Sequence, residues 1–571
     1  MSASKNRYRF LIIGAITVIL FLILIIKLYV VQIIHADEYS LKANRQYVSA
    51  GNNIFNRGSI FFTDKDGGLV SGATMKLGFT LAINPTEIEN PKLVYEKLSQ
   101  VIELDVDRET FIARASKVGD PYEEVAVLVE KEDAKRIEDL KIKGVNLYAS
   151  KWRYYPGGNL AAHILGFVGF KEDKVAGRYG LESYYENTLS RDEESLYVNF
   201  FAEAFSNLGE IVKSDSNRKG NVVTTIEPTV QAFLEGELDS IQEKWASKSS
   251  GAIVIDPKSG EVVAMAISPD FDPNNFSSAD PNRFSNPLVS SVYEMGSIVK
   301  PLTIAAGIDS GAINKDSSYF DEGYIMVNGA RISNHDRKGR GKATMQDVLS
   351  QSLNTGVAHV VMKMGKEDFS TYMKNFGLGE ETGIDLPGEV RGLIGNLDSP
   401  RDIEHVTASF GQGIALTPIG IVRALSSIAN KGVMPDPHIV DSIDYDVGFK
   451  KKLSRSGGER VISEETASAV TNMLVNAVDT GLSGGKEKME RYSIAAKTGT
   501  AQIADENKRG YYDDRFLHSF FGFFPAYNPR FLVFYFTVEP KGAEYANYTL
   551  TDPFFNTAKF LINYYDIEPD R

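Results

Sequence analysis

The order of apolar segments in the C-terminal half of the chain is what most constrains its fold. Two strand-like runs, residues 251–256 and 261–266, flank a Pro257-Lys258-Ser259-Gly260 turn. A mainly helical block follows over residues 296–476, and then three more strand-like runs at 493–503, 517–524 and 531–539. Residues 554–565 carry the helical period, as does an earlier run in which Val230, Phe233, Leu234, Leu238, Ile241 and Trp245 follow Pro228. Two strands, many helices, three strands and a helix predict an α+β domain, a five-stranded antiparallel sheet sandwiched by helices. Such a sheet has to be assembled from both ends of the domain, with the helical block folded back over it.

The upstream half reads differently. Residues 10–26 contain no charge, and the apolar character resumes after Lys27 as far as residue 34, which is long enough to cross a bilayer. Lys5, Arg7 and Arg9 precede this run and Asp37 and Glu38 follow it, so the positive-inside bias puts the N-terminus in the cytoplasm and the rest outside. No small-residue cleavage site follows the run, which favours an uncleaved single-pass anchor over a signal peptide. Beyond it lie short β-like runs such as residues 77–83 and charged amphipathic helices near 92–102 and 131–140, ending in a polar linker at 213–220. At 571 residues the chain exceeds one ordinary core. The expected division is a cytoplasmic tail (1–9), a transmembrane anchor (10–34), a mixed α/β region (35–220) and the sheet domain (221–571). A formal net charge of −13 argues against nucleic acid as a partner. With no cysteine there is no disulfide, thiolate nucleophile or cysteine-bound metal. The seven histidines are scattered without ligand spacing, so neither a metal nor a cofactor is expected.

Chemistry enters at Gly296-Ser297-Ile298-Val299-Lys300. Residues three apart on a helix share a face, so Lys300 can approach Ser297 and, if its pKa is lowered in a dry pocket, take the hydroxyl proton. On spacing alone this reads as an ordinary solvated helix start. Ser352-Leu353-Asn354 offers a hydroxyl and a carboxamide, and in isolation reads as a helix cap or Asx turn. Lys497-Thr498-Gly499-Thr500 places a cation and two hydroxyls along a strand, with Gly499 leaving room for an approaching backbone. Taken together and in this order, Ser-x-x-Lys, Ser-x-Asn and Lys-Thr-Gly form the signature of penicillin-binding proteins and class A β-lactamases.

The wider resemblance is to the class B penicillin-binding proteins, the monofunctional peptidoglycan transpeptidases. Arg57-Gly58-Ser59-Ile60 and the Leu160–Gly169 island resemble motifs of that family's elongated mixed α/β pedestal, and Asp256-Pro257-Lys258-Ser259-Gly260, Gly383–Glu389 and Gly411–Pro418 resemble segments of its transpeptidase domain. Met295 stands where the family usually has proline, and residues 60–67 carry extra aromatic side chains. The resemblance implies a serine acyl-enzyme formed by Ser297 on a D-Ala–D-Ala stem peptide, with Lys300 as base. Ser352 and Asn354 would hold the lysine network and the donor amide, and Lys497, Thr498 and Thr500 the terminal carboxylate. The backbone N–H groups of Ser297 and Thr500 would form the oxyanion hole. The sequence leaves the identity of the base open. The resemblance also implies acylation by β-lactams and, since no carboxylate motif for glycosyl transfer lies between 40 and 220, a multi-span membrane glycosyltransferase as partner. A β-lactamase or sensor shares the three motifs, but the chain offers no evident base for the fast deacylation a lactamase needs. A D,D-carboxypeptidase would use the same residues with water as acceptor, and an idle scaffold would not need them. Between division and elongation, the compact chain leans to division.

Overall fold

The computed structural model describes Phe21 and residues 56–171, 174–191, 219–446, 448–453, 455, 457–505, 508 and 510–571. The expected tail and anchor (1–34, apart from Phe21) and most of the 213–220 linker lie outside them. No helix among the described residues is long and apolar enough to cross a membrane.

The described chain divides into two compact units. The smaller, Lys76–Trp152, holds the second part of the strand Leu69–Ile83, the helices Pro91–Leu98, Arg108–Ala115 and Lys131–Asp139, and the strand Glu123–Val129. Its core is its own, with Leu81, Leu98, Phe111, Val125 and Ile137 nearly inaccessible to solvent. Both expected helices are present here, each ending before the residue at which its apolar period stops.

The larger unit, Arg57–Met75 with Arg153–Arg571, contains the sheet. Helix α1 (Pro228–Trp245) precedes strands β1 (Ser249–Ile255) and β2 (Val262–Ser268), and β3 (Ala495–Ala504), β4 (Tyr511–Phe524), β5 (Phe531–Val538) and α4 (Ala546–Tyr564) close the chain. The five strands pair antiparallel in the order β2-β1-β5-β4-β3, so β1, from one end of the domain, lies between β2 and β5, from the other. This is the sheet expected from the segment order. Alternate side chains point to opposite faces of a strand. Val533 and Tyr535 therefore join α1 and α4 on one face, while Leu532, Phe534 and Phe536 meet the helical block on the other. With both faces covered, the strands read as continuous apolar runs.

Two features depart from expectation. The closing helix starts at Ala546 rather than 554 and carries Pro553 inside it, because Leu550, Phe554 and Leu561 bury a common face against the sheet. The block at 296–476 also contains short strands, including the hairpin Tyr324–Val327 with Ala330–Ser333, too brief to show a period. Contacts also partition the chain in their own way, into compact units that divide at 76 and 152. Ile60–Thr63 pairs parallel with Gly220–Thr224, which pairs in turn with Val440–Tyr445, and these contacts tie the upstream segments into the larger unit.

Candidate active site

The three motifs converge at the edge of the sheet. Ser297 sits in a 3-10 turn, Gly296–Val299, which runs directly into helix α2 (Lys300–Asp309). With three residues per turn, positions i and i+3 are eclipsed, so Ser297 and Lys300 project from the same side. Gly296 makes the entry possible. Its φ is +64°, and a β-carbon there would lie 2.8 Å from the Thr500 carbonyl oxygen. Its N–H donates to the Gly411 carbonyl at 3.1 Å, which fixes the turn from behind. The Gly296 backbone is thereby packed against that of Thr500.

Lys300 is fully buried. Its ammonium donates to the Ser352 carbonyl at 2.6 Å and lies 3.1 Å from the Ser352 hydroxyl. Among the described residues, the Ser297 hydroxyl makes no hydrogen bond to it. Ser352 holds φ = +55°, a left-handed conformation that costs a non-glycine residue of order 1 kcal/mol. That conformation turns both of its oxygens toward the lysine. Asn354 opens helix α3 (Asn354–Met364) and donates through Nδ2 to the Ser333 carbonyl at 2.9 Å. The next residue is locked in place as well, since the Thr355 hydroxyl donates to Asp321 at 2.8 Å and its N–H to Asn334 Oδ1 at 3.2 Å.

Strand β3 is an edge strand, paired in the sheet with β4. Lys497 and Gly499 share the face that covers the Ser297 turn. A β-carbon on Gly499 would collide with Ser519 Oγ and lie 2.7 Å from the Met295 carbonyl, so the backbone it admits is the chain's own. Ser519, opposite Gly499 in β4, donates to that Met295 carbonyl at 2.8 Å. Thr498 and Thr500 point to the other face, where Thr500 Oγ1 accepts the Ala546 N–H at the start of α4 at 3.1 Å. An accepting hydroxyl keeps its own proton to donate, and the positive end of the α4 dipole lies beside it.

The electrostatics are unusual. Lys497 is buried and donates to the Thr498 carbonyl at 3.1 Å. No carboxylate pairs with Lys300 or Lys497 among the described residues. Burial, and then the Lys497 charge, hold Lys300 well below the usual lysine range, while burial brings Lys497 down to about 8. Glu294, three residues before Ser297, was not singled out from the sequence. Its Oε1 accepts from Gly413 N–H at 3.0 Å and Tyr511 at 3.2 Å, while Oε2 is buried without a partner, and burial raises its pKa. Ser519 and Ser333 were also missed, because only strand register and the fold bring them to the site. Among the described residues no cluster of acidic or histidine side chains could hold a metal.

Comparison with known proteins matches this arrangement twice. The penicillin-binding protein transpeptidase domain model fits residues 250–558, and the penicillin-binding protein dimerisation domain model fits residues 55–225. The chain is 33% identical to stage V sporulation protein D of Bacillus subtilis, over 94% of its own length and 82% of that protein's. It is 29% identical to the peptidoglycan D,D-transpeptidase FtsI of Escherichia coli, over 76% of its length and 71% of that protein's. Among solved structures, penicillin binding protein 3 of Mycobacterium tuberculosis superposes with a TM-score of 0.64 at 27% identity, covering 74% of this chain and 92% of that one.

Proposed function

The chain belongs to the class B penicillin-binding proteins, the peptidoglycan D,D-transpeptidases, and from that premise we propose that Ser297 is its acylating nucleophile and Lys300 the base that activates it. The enzyme cross-links stem peptides in cell-wall synthesis and binds penicillin. The observation that carries the residue assignment is the pair of buried lysines without a counter-ion. A buried unpaired ammonium tends to lose its proton, and the more deeply perturbed of the two, Lys300, is the one beside Ser297. Neutral Lys300 accepts the Ser297 proton as Ser297 attacks the carbonyl of the penultimate D-Ala. The amides of Ser297 and Thr500 stabilise the oxyanion. Ser352, 3.1 Å from Lys300 Nζ, passes the proton on to the departing D-Ala nitrogen. Lys497 stays cationic at neutral pH and, with Thr498 and Thr500, binds the substrate carboxylate across the edge of β3, while Asn354 faces the donor amide. The amine of a second stem peptide then resolves the acyl-enzyme.

Residues 10–34 anchor this unit to the cytoplasmic membrane with the catalytic domain outside, a reading supported by their apolar length and the preceding Lys5, Arg7 and Arg9. A membrane glycosyltransferase is the expected polymerising partner, and division the process, in keeping with the likeness to FtsI. Fluorescent penicillin is expected to label the protein covalently in carbonate-washed membranes, and Ser297→Ala to abolish the label. Labelling that survives the substitution excludes Ser297, and labelled protein in the soluble fraction excludes the anchor.

A further inference from the structure

His518 lies in β4 directly opposite Thr500 in the antiparallel register, on the face covered by α4. It is fully buried, and its ring reaches two points of the turn that begins that helix. Nε2 is 3.2 Å from the Glu544 carbonyl and Nδ1 is 2.9 Å from the Thr549 hydroxyl. A carbonyl can only accept, so Nε2 carries the proton and Nδ1 is the bare nitrogen that the Thr549 hydroxyl faces. Burial brings the ring down to about 4, which keeps this neutral tautomer throughout the working range. Thr549 Oγ1 lies 3.2 Å from the Ala546 carbonyl, and the Ala546 N–H is the donor to Thr500 Oγ1. One imidazole thus braces residues 544–549 at both ends, and the amide at the middle of that brace holds the Thr500 hydroxyl. Tyr545, the residue before helix α4, offers it no side-chain cap, so Thr500 supplies the acceptor for the first helical N–H from another strand.

We propose that His518 is a positioning residue for substrate recognition, fixing the Ala546 N–H so that the Thr500 hydroxyl accepts from it and aims its own proton at the substrate carboxylate. The inference rests on the reading of Thr500 as part of the carboxylate site. It differs from a packing role because it acts only on ligands that carry the carboxylate. The ring touches neither substrate nor the reacting atoms.

The test compares acylation of the full chain by benzylpenicillin and by its methyl ester, which lacks the anion. The ratio of the two rates reads carboxylate recognition alone. A directed hydrogen bond to a charged group is worth roughly tenfold or more, so His518→Phe and Thr549→Val are each expected to lower the acid-to-ester ratio about five- to tenfold. His518→Gln, whose amide can still donate to the Glu544 carbonyl, is expected to recover part of it. In a Thr500→Val background, which lowers the ratio by itself, the His518 change is expected to add little, the coupling that a shared pathway demands. Thr549→Val leaves the imidazole in place, so the test survives a poorly folded His518→Phe. Equal loss of both rates with an unchanged ratio, or full additivity with Thr500→Val, would overturn the proposal. A ratio that Thr500→Val leaves untouched would overturn the reading of Thr500 and this inference with it.

Discussion

At the scale of single residues, the site depends on two lysines that burial treats differently. On the proposed assignment, acylation needs Lys300 without its proton and Lys497 with its own. The rate is therefore expected to rise from acid pH as Lys300, held well below the usual lysine range, deprotonates. It should fall again as pH passes about 8, where Lys497 loses the charge that holds the carboxylate. The second-order rate of penicillin acylation against pH should trace this bell. Lys497→Arg, whose guanidinium stays charged, should lower the whole curve and remove the alkaline limb. A limb that persists near 8 in that variant would assign it elsewhere. Both lysines, with Ser297, Ser352, Asn354, Thr498 and Thr500, were legible in the sequence as three short motifs, because those side-chain types at those spacings have few other joint uses; Glu294, Ser333 and Ser519 were not. The protonation states were not, since they follow from desolvation, which spacing does not encode.

At the scale of elements, the decisive contact is between the edge of β3 and the turn before α2. Gly499 is required by the Met295 carbonyl and Ser519 Oγ packed against it. Gly499→Ala should therefore destabilise the protein by about 1–3 kcal/mol, as overpacking does, and slow acylation by about tenfold or more by pushing the Ser297 turn away. Calorimetry and acylation kinetics on the same sample check both. An alanine variant with unchanged kinetics would show that the turn does not lean on the strand. The sequence placed all five strands by their apolar runs, but it gave no register. The pairing of Gly499 with Ser519 and of Thr500 with His518 is a long-range choice. The start of α4 was misjudged for a related reason: Pro553 signals a break locally, and burial of one helix face against the sheet overrides it.

At the scale of the molecule, the larger unit incorporates segments that the sequence reading assigned upstream. Its lock is Glu182, completely buried, with Arg57 Nε and Arg153 Nε each 2.5 Å from its two oxygens and the Tyr155 hydroxyl at 3.2 Å. Burial pushes the Glu182 carboxyl up, but the Arg153 and Arg57 charges outweigh it and hold it below the usual range. Removing this carboxylate takes an anionic partner from each of the two arginines, with Glu186 remaining to Arg57, and costs about 3–5 kcal/mol. Glu182→Gln should thus lower the denaturant midpoint strongly and expose the residues near Arg57 to protease before the rest of the unit. The carboxyl is depressed in the folded state, so its contribution is present above the ordinary glutamate range, near pH 4.3, and is lost as pH falls through the lower native value. Equal midpoints for the two proteins would place the stability of these segments elsewhere, in the strand pairing at Ile60–Thr63.

The sequence by itself determined the layered class of the catalytic unit, the three reactive motifs and their order, because periodicity and residue chemistry are local. The tertiary structure decided which strands are neighbours, which face of β3 each motif residue takes and where the units divide. It also decided that two lysines distant in the chain share one dry cleft. Each of these depends on contacts between segments far apart in sequence, whose geometry is settled by burying common apolar surface.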